Sequence, residues 1–389
     1  MDKVARGTSG IMAFAFIHTA DWQIGKAFAQ FDAGVAAQLR AARLEVIDRM
    51  AEVAADAGVG HIVVAGDVFD SELIEDHALR QPLARMAAYP AVMWHLLPGN
   101  HDPMRGGGVW ERLARLGFPA NVQPLLSASA YRIEPNVVLL AAPLAAKQMT
   151  SDPTAWMDHA TSEDGDLRIG VAHGAVRGFG SLGEAPVPIQ ATRRQSARLD
   201  YLALGDWHGT KEIAPGAWYS GTPESDSFAD NGQGNVLLVS LDGPGATPRV
   251  AVIDTGHYRW LERRVALARL EDIEPVEREI GALGAEGRRH ILRLALEGAI
   301  PADDAAGLDR KLAALKAQPL AMRIEDRRLR ILASRPDREL LAETSLTAVA
   351  DRLIARGAGA DGEEARAATR ALRLLLSFSA GAATPEAGA

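Results

Sequence analysis

Polar side chains that can bind metal ions follow five separate apolar runs of this sequence. The runs are short and rich in branched residues, as buried strands are. In α/β proteins, ligands bind beyond the carboxyl ends of the parallel strands, so five such ends can converge on one place. A site for more than one ion requires this convergence. The polar residues are, in chain order, Asp21 and Gln23, Asp67, Asn100 with His101 and Asp102, His173, and Asp206 with His208.

The residue types favour two divalent cations held by oxygen and imidazole nitrogen. The chain has no cysteine, which excludes thiolate metal sites, disulfides and a thiol nucleophile together. Hard cations bind carboxylate and amide oxygens, and borderline cations also accept imidazole. A carboxylate shared by two ions can hold them roughly 3.5–4 Å apart, a spacing at which both contact one phosphodiester and activate a water. The pattern therefore indicates phosphoester hydrolysis.

The order of these five segments resembles the signature of the calcineurin-like metallophosphoesterases, over about residues 12–262. Two segments, His18–Trp22 and Tyr219–Glu224 followed by Phe228, are similar to the SbcD branch of DNA nucleases. The resemblance implies a four-layer α-β-β-α sandwich. It also implies exonuclease and endonuclease activity in the repair of DNA double-strand breaks.

Carried over position by position, the resemblance implies the role of each polar residue. Asp67 would bridge the two ions. His101 would act as general acid or stabilise the leaving oxygen, and Asp102 would orient it. One ion would be bound by Asp21, Gln23, Asp67 and His208, and the other by Asp67, Asn100, His173 and Asp206.

Two of these positions depart from the family pattern. Gln23 stands where the family has histidine after the first aspartate, and Asp206 replaces the first histidine of a Gly-His-x-His motif. Glutamine offers a neutral amide oxygen, and aspartate adds an anionic oxygen. The ligand set becomes harder, so we expect manganese, with magnesium or iron as alternatives, rather than zinc.

Two other functions fit the same residues. The first is a phosphoesterase for small molecules such as nucleotides or cyclic nucleotides, against which a second β-α-β-α-β unit and the Gly221–Glu224 loop weigh. The second is a catalytically degenerate scaffold that binds DNA or an ATPase. The chain retains Asp67, Asn100, His101 and His173, and this argues against a scaffold that has lost its catalytic site.

The elements that must position these residues alternate between strands and helices, which predicts an α/β core. Strands are predicted at 15–19, 60–65, 92–97, 137–141, 167–172, 201–204 and 235–241, and helices at 33–57, 76–88 and 109–116. Beyond these, strands at 264–267, 290–296 and 321–332 alternate with helices at 273–283 and 301–317. The region 337–378 has a helical pattern.

These patterns divide the chain of 389 residues into five parts. We predict a disordered leader (1–11), a nuclease domain (12–262) and a small α+β capping domain (263–335) that binds DNA. C-terminal helices (336–378) that bind a partner and a disordered tail (379–389) follow.

The charge is unevenly distributed, and this bears on the partners. The net charge is −8, yet residues 262–335 carry 15 Arg or Lys against 13 Asp or Glu. The resemblance implies an SMC-like coiled-coil ATPase of the SbcC type and a possible homodimer. No apolar run is long enough to span a membrane. The lack of cysteine fits a reducing cytoplasm, where we expect the protein. Candidate DNA phosphate contacts are the pairs Arg193 and Arg194, Arg288 and Arg289, and Arg327 and Arg328.

Overall fold

A computed structural model describes residues 13–178, 187–229, 232–332 and 346–357, and residues 364, 367, 368, 371, 372, 374 and 375. The predicted leader, the predicted tail and most of the predicted helices at 336–378 lie outside these residues. The chain forms two compact units that divide between Tyr258 and Arg259. Among the described residues, no helix has both the length and the apolar character needed to cross a membrane.

The described strands make two six-stranded sheets, one three-stranded sheet and one two-stranded sheet. The strands are β1 (Phe14–Thr19), β2 (His61–Val64), β3 (Met93–Leu96), β4 (Val122–Pro124), β5 (Ala130–Glu134), β6 (Val137–Ala142), β7 (Leu167–His173), β8 (Ala175–Val176), β9 (Pro188–Ile189), β10 (Tyr201–Gly205), β11 (Lys211–Ala214), β12 (Ala217–Tyr219), β13 (Asn235–Leu241), β14 (Arg249–Asp254), β15 (Arg259–Leu267), β16 (His290–Pro301) and β17 (Ala321–Leu332). The α-helices are α1 (Ala33–Ala57), α2 (Asp76–Ala87), α3 (Val109–Leu116), α4 (Arg193–Ser196), α5 (Glu274–Ala282), α6 (Ala302–Lys316) and α7 (Thr347–Gly357). Short 3-10 helices occur at Ala155–His159, Leu270–Ile273 and Gly284–Arg289.

The first unit is a sandwich of the two large sheets, ordered β14-β13-β1-β2-β3-β4 and β11-β12-β10-β7-β6-β5. Alternate residues of each inner strand point to opposite faces. Phe16 and Val63 therefore join the core between the sheets, whereas Ile17 and Ile62 pack under the helices α1, α2 and α3. The 3-10 helix at 155–159 and α4 cover the far side of the second sheet. The predicted α/β fold is confirmed.

Helix α1 shows how the sequence specifies this packing. Its N-cap Asp32 accepts hydrogen bonds from the backbone amides of Gly34 and Val35, at 2.9 and 3.0 Å. It ends at Gly58, whose φ of 66° is left-handed and suits glycine. A buried face that includes Ile47 and Met50 lies on the first sheet.

The second unit is the predicted β-α-β-α-β arrangement, with β15, β16 and β17 all parallel. Helices α5 and α6 cover one face of this sheet, over a core that includes Leu294 and Leu308. Strand β15 begins at Arg259, because Arg259 to Leu267 pair along their whole length with β16. The unit boundary therefore lies four residues before the boundary that we predicted.

Several strands were missed by the sequence analysis. Strands β5 and β14 contain many exposed residues, and β4, β8, β9, β11 and β12 have two to four residues each. The short strands contain too few residues to show the apolar run or the alternation on which prediction depends, whereas β14 carries the apolar run Val250–Ile253, which was not assigned to a strand. The strands that carry the site were predicted to within a residue or two of their ends.

Candidate metal centre

All five polar segments lie at the carboxyl ends of neighbouring parallel strands. Strands β1, β2 and β3 are adjacent and parallel in the first sheet. Strands β7 and β10 are adjacent and parallel in the second sheet, where His173 pairs with Gly205. The sandwich therefore brings together side chains that are far apart in sequence.

The backbone at the site adopts conformations that most residues avoid. Positive φ angles occur at Asp21 (55°), Gln23 (43°), Asp67 (54°) and Asp206 (104°). These four are among six non-glycine residues with positive φ in the described part of the chain. Such strain persists only where surrounding structure enforces it, and it concentrates at functional sites. Here the Asp21 amide donates to the carbonyl of Gly66 at 3.1 Å, which locks the two loops together.

Glycines allow these loops to approach each other closely. A Cβ atom at Gly205 would lie 2.1 Å from the carbonyl oxygen of Ala65 and 2.7 Å from His173 Nδ1. A Cβ atom at Gly99 would lie 2.1 Å from Asp67 Oδ1. Only a residue without a side chain fits at either position.

His173 lies at the centre of one group of candidate ligands. Its Nδ1 donates to the carbonyl of Ala65 at 2.8 Å, so Nε2 is directed at the carboxylates. Nε2 lies 3.1 Å from Asn100 Oδ1, 3.4 Å from Asp67 Oδ2 and 3.9 Å from Asp206 Oδ1. We call Asp67, Asn100, His173 and Asp206 the His173 half of the site.

The His173 half suits a divalent cation. Neighbouring ligands of a six-coordinate ion with bonds of about 2.1 Å lie about 3 Å apart, close to the observed separations. Ligand atoms of Asp21, Asp67 and His173 all lie within 4.8 Å of one another, and the three residues are buried. Buried carboxylates in such proximity need a compensating positive charge.

We call the second predicted ligand group, Asp21, Gln23, Asp67 and His208, the His208 half. His208 Nδ1 lies 3.4 Å from Asp226 Oδ1, and Gln23 Nε2 lies 3.1 Å from His208 Nε2. Asp21 accepts the backbone amide of Asp206 at 3.2 Å, which joins the two halves. The predicted ligands are therefore brought together in one place.

His101 lies at the edge of the His173 half, with 44% of its side chain exposed. Its Nδ1 donates to the carbonyl of Asp70 at 2.9 Å, and its Nε2 lies 4.0 Å from Asp67 Oδ2. Asp102, which we expected to orient His101, instead accepts the backbone amides of Gly99 at 2.7 Å and Phe69 at 3.0 Å. The Asp70 carbonyl orients His101, and Asp102 fixes the loop that carries it.

Burial and charge shift the pKa values of these groups in opposite directions. Burial raises the pKa of Asp21 to about 6 and also raises that of Asp206. Burial opposes the charged forms of Asp67 and His173, but their mutual attraction outweighs it. This attraction holds the pKa of Asp67 below its usual value and that of His173 well above. A proton and a metal ion therefore compete for His173.

Of the candidate DNA-contacting arginines, two make other contacts within the first unit and four lie in the second unit. Arg193 is buried and its guanidinium pairs with Asp152 at 2.9 Å and with Asp158, which corrects the expectation that it contacts DNA. Arg194 donates to the carbonyl of Asp200. In the second unit, Arg288 and Arg289 end a 3-10 helix, and Arg327 and Arg328 line a cleft of about 280 Å³ together with Glu262, Arg264 and Glu297.

Three residues behind the His208 half were missed by the sequence analysis. Asp226 pairs with Lys26 at 2.5 Å and with Arg43 at 3.0 Å, besides its contact with His208. Arg43 offered a signal, since it lies on the inward face of α1 between Leu39 and Val46. A charged residue at such a position is almost always paired.

The chain was compared with models of protein families, with curated proteins and with solved structures. The family model of the calcineurin-like phosphoesterases matches residues 14–209. No curated protein matches the chain.

Three solved structures are similar to the chain. TT1561 of Thermus thermophilus is 12% identical, with a TM-score of 0.41 over 62% of this chain and 99% of that one. Purple acid phosphatase PPD1 from yellow lupin (Lupinus luteus) seeds is 13% identical, with a TM-score of 0.42 over 63% of this chain and 52% of that one. A dimetal phosphatase from Danio rerio is 12% identical, with a TM-score of 0.33 over 62% and 99%.

Proposed function

Because this chain belongs to the calcineurin-like phosphoesterase family, we propose that it is a two-metal phosphodiesterase that cleaves DNA, of the SbcD type. The observation that carries the proposal is the convergence of Asp67, Asn100, His173 and Asp206 at four strand ends, with His101 beside them. The hard oxygen ligands favour manganese as the native metal.

The protein's own groups divide the work of hydrolysis. When bound, divalent cations would neutralise phosphate charge and lower the pKa of a water molecule. One carboxylate oxygen of Asp67 accepts a hydrogen bond from the backbone amide of His101 at 2.9 Å, and the other oxygen faces His173. His101 is fixed through Nδ1, so its partly exposed Nε2 can hold a proton for the leaving sugar oxygen.

Two features support DNA over a small molecule as the substrate. The second unit adds a β-α-β-α-β domain that hydrolysis of a small phosphoester does not need. The Gly221–Glu224 loop, on which part of the SbcD resemblance rests, supports the site directly. Thr222 donates its hydroxyl to the carbonyl of Asp21 at 3.0 Å, and its amide to the carbonyl of His208 at 3.1 Å.

The proposed setting follows from the same resemblance. We propose a role in double-strand break repair in the cytoplasm, with an SMC-like ATPase of the SbcC type as partner and with possible homodimerisation. The described helix α7 packs Ala350, Leu353 and Ile354 against Leu372 and Leu375, and leaves Val349 44% exposed. An apolar residue on this exposed surface is compatible with partner binding.

The test is cleavage of end-labelled linear double-stranded DNA by the full chain with manganese, alone and with its candidate ATPase. We expect cleavage by the wild type and a 10²–10⁴-fold lower rate for His101→Asn, because proton transfer contributes about that factor. The matched control is His159→Asn, which alters a histidine of the 3-10 helix at 155–159.

Parallel reactions on a cyclic nucleotide and a nucleotide separate the alternatives. Turnover of the small substrates with no DNA cleavage would replace the proposal with a small-molecule enzyme. DNA binding with no turnover of any substrate, by correctly folded protein with manganese, would favour the degenerate scaffold.

A further inference from the structure

The two halves of the metal centre differ in what already occupies their ligand atoms. In the His173 half, the candidate ligands contact one another: Nε2 of His173 lies 3.1 Å from Asn100 Oδ1, 3.4 Å from Asp67 Oδ2 and 3.9 Å from Asp206 Oδ1. In the His208 half, the positively charged Lys26 lies among the candidate ligands. Lys26 Nζ is 2.8 Å from Gln23 Oε1 and 2.5 Å from Asp226 Oδ2.

Gln23 and His208 of the His208 half form a closed ring of hydrogen bonds with Lys26 and Asp226. An ammonium group can only donate, so Lys26 fixes Oε1 of Gln23 as the acceptor and turns Nε2 toward His208. When His208 is neutral, as a metal ligand must be, its Nδ1 donates to Asp226 and its Nε2 accepts from Gln23. The ring closes through the pair of Lys26 with Asp226, whose side chain is 2% exposed.

This ring competes with metal binding in two ways. Lys26, which is not a ligand, holds the amide oxygen of Gln23, and Gln23 in turn donates to the ligating nitrogen of His208, so a cation must break both hydrogen bonds to use these atoms. The Lys26 ammonium also repels a second positive charge nearby. Asp226 offsets only one of the two positive charges of Lys26 and Arg43, so the three side chains together remain positively charged.

We infer that the Lys26–Gln23–His208–Asp226 ring makes the two metal positions unequal, so that the His173 half binds its ion tightly and the His208 half binds a second ion weakly. This inference rests on the proposed two-metal function and deepens it. Lys26 and Gln23 thereby set the metal concentration at which the second position fills. Asp226 is a positioning residue that acts through His208.

The experiment is a manganese titration of the chelator-stripped full chain, with free Mn²⁺ followed by electron paramagnetic resonance and no substrate present. We expect two classes of site in the wild type, with dissociation constants at least tenfold apart. Lys26→Met and Gln23→His should each tighten the weaker class at least threefold and leave the tighter class unchanged. His208→Ala should remove the weaker class alone.

Lys211→Met is the matched control, because Lys211 is an exposed lysine of β11 in the same unit. It should leave both classes unchanged. If Lys26→Met fails to fold, as judged by circular dichroism, Lys26→Gln keeps a polar side chain and removes the charge.

Two equal sites in the wild type would overturn the inference and leave the proposed function intact. So would a weaker class that neither Lys26→Met nor Gln23→His changes, or a loss of the tighter class in His208→Ala. The absence of any manganese binding by the folded wild type would instead remove the two-metal function itself.

Discussion

The Arg43–Asp226 pair gives the sharpest prediction for the architecture behind the metal centre. Both side chains are buried, at 1% and 2% exposure, and the guanidinium lies 3.0 Å from the carboxylate. Arg43 also donates to the carbonyl of Trp22, so it holds the loop between Asp21 and Gln23. We expect Arg43→Met to fill most of the volume and to leave Asp226 with Lys26 and His208 as its remaining partners.

Removal of one partner from a buried ion pair typically costs about 3–5 kcal/mol, because the other charge stays buried. The contact with Lys26 places the expected loss near the lower end, about 3 kcal/mol. The matched control is Arg85→Met. Arg85 is 35% exposed, pairs with Asp48, and should cost about 0–1 kcal/mol.

The assay is urea unfolding of the full chain in chelator, followed by tryptophan fluorescence. Burial opposes the charge of Asp226, but Arg43 outweighs it and holds the pKa of Asp226 below its ordinary value. The stabilisation is therefore present above the unfolded pKa of about 4 and is lost as the pH falls below it. The difference between wild type and Arg43→Met should shrink in acid. A loss no larger than that of Arg85→Met at pH 7 would refute the reasoning.

Two further predictions concern the site loops and the buried histidines. Gly205→Ala should abolish manganese binding, measured by calorimetry, because its Cβ would lie 2.1 Å from a backbone carbonyl, whereas Gly106→Ala, in open space, should bind as wild type does. Normal binding by Gly205→Ala would contradict the close approach of the loops. Burial lowers the pKa of His18 and of His95 to about 3, so both stay neutral in the folded chain while the unfolded chain protonates them below about 6.5. The free energy of unfolding should thus fall by up to about 1.4 kcal/mol per pH unit for each histidine between pH 6.5 and 3. In urea unfolding, His18→Asn should make this pH dependence less steep. An unchanged pH dependence would show that His18 does not contribute.

The strand ends that carry the site were predictable because their signal is local. Each combines a continuous apolar run with polar residues directly after it, and parallel strands place such ends at one edge. Helix α1 was equally clear, since its apolar positions recur at helical spacing over 25 residues. The β-α-β-α-β order of the second unit was predictable from the same two signals, short apolar runs for the strands and helical spacing of apolar residues for the helices.

The contacts behind the ligands were not predictable, because they depend on tertiary packing. Asp226 is 18 residues from His208 along the chain, and only the folded loop places its carboxylate against the His208 imidazole. Arg193 had the local pattern of an exposed basic pair, yet its guanidinium pairs with Asp152 in the interior. From the sequence we expected Asp102 to orient His101. In the structure, the Asp102 carboxylate instead accepts hydrogen bonds from backbone amides.

The central claim is that Asp67 and its neighbours bind divalent cations that support phosphodiester hydrolysis. The most direct measurement is the rate at which chelator-stripped protein hydrolyses bis-p-nitrophenyl phosphate as manganese is added, for wild type and Asp67→Asn. We predict no activity without metal, saturable activation of the wild type, and at least a 10²-fold lower rate for Asp67→Asn at saturating manganese. Hydrolysis without metal, or equal rates for the two proteins, would contradict the claim.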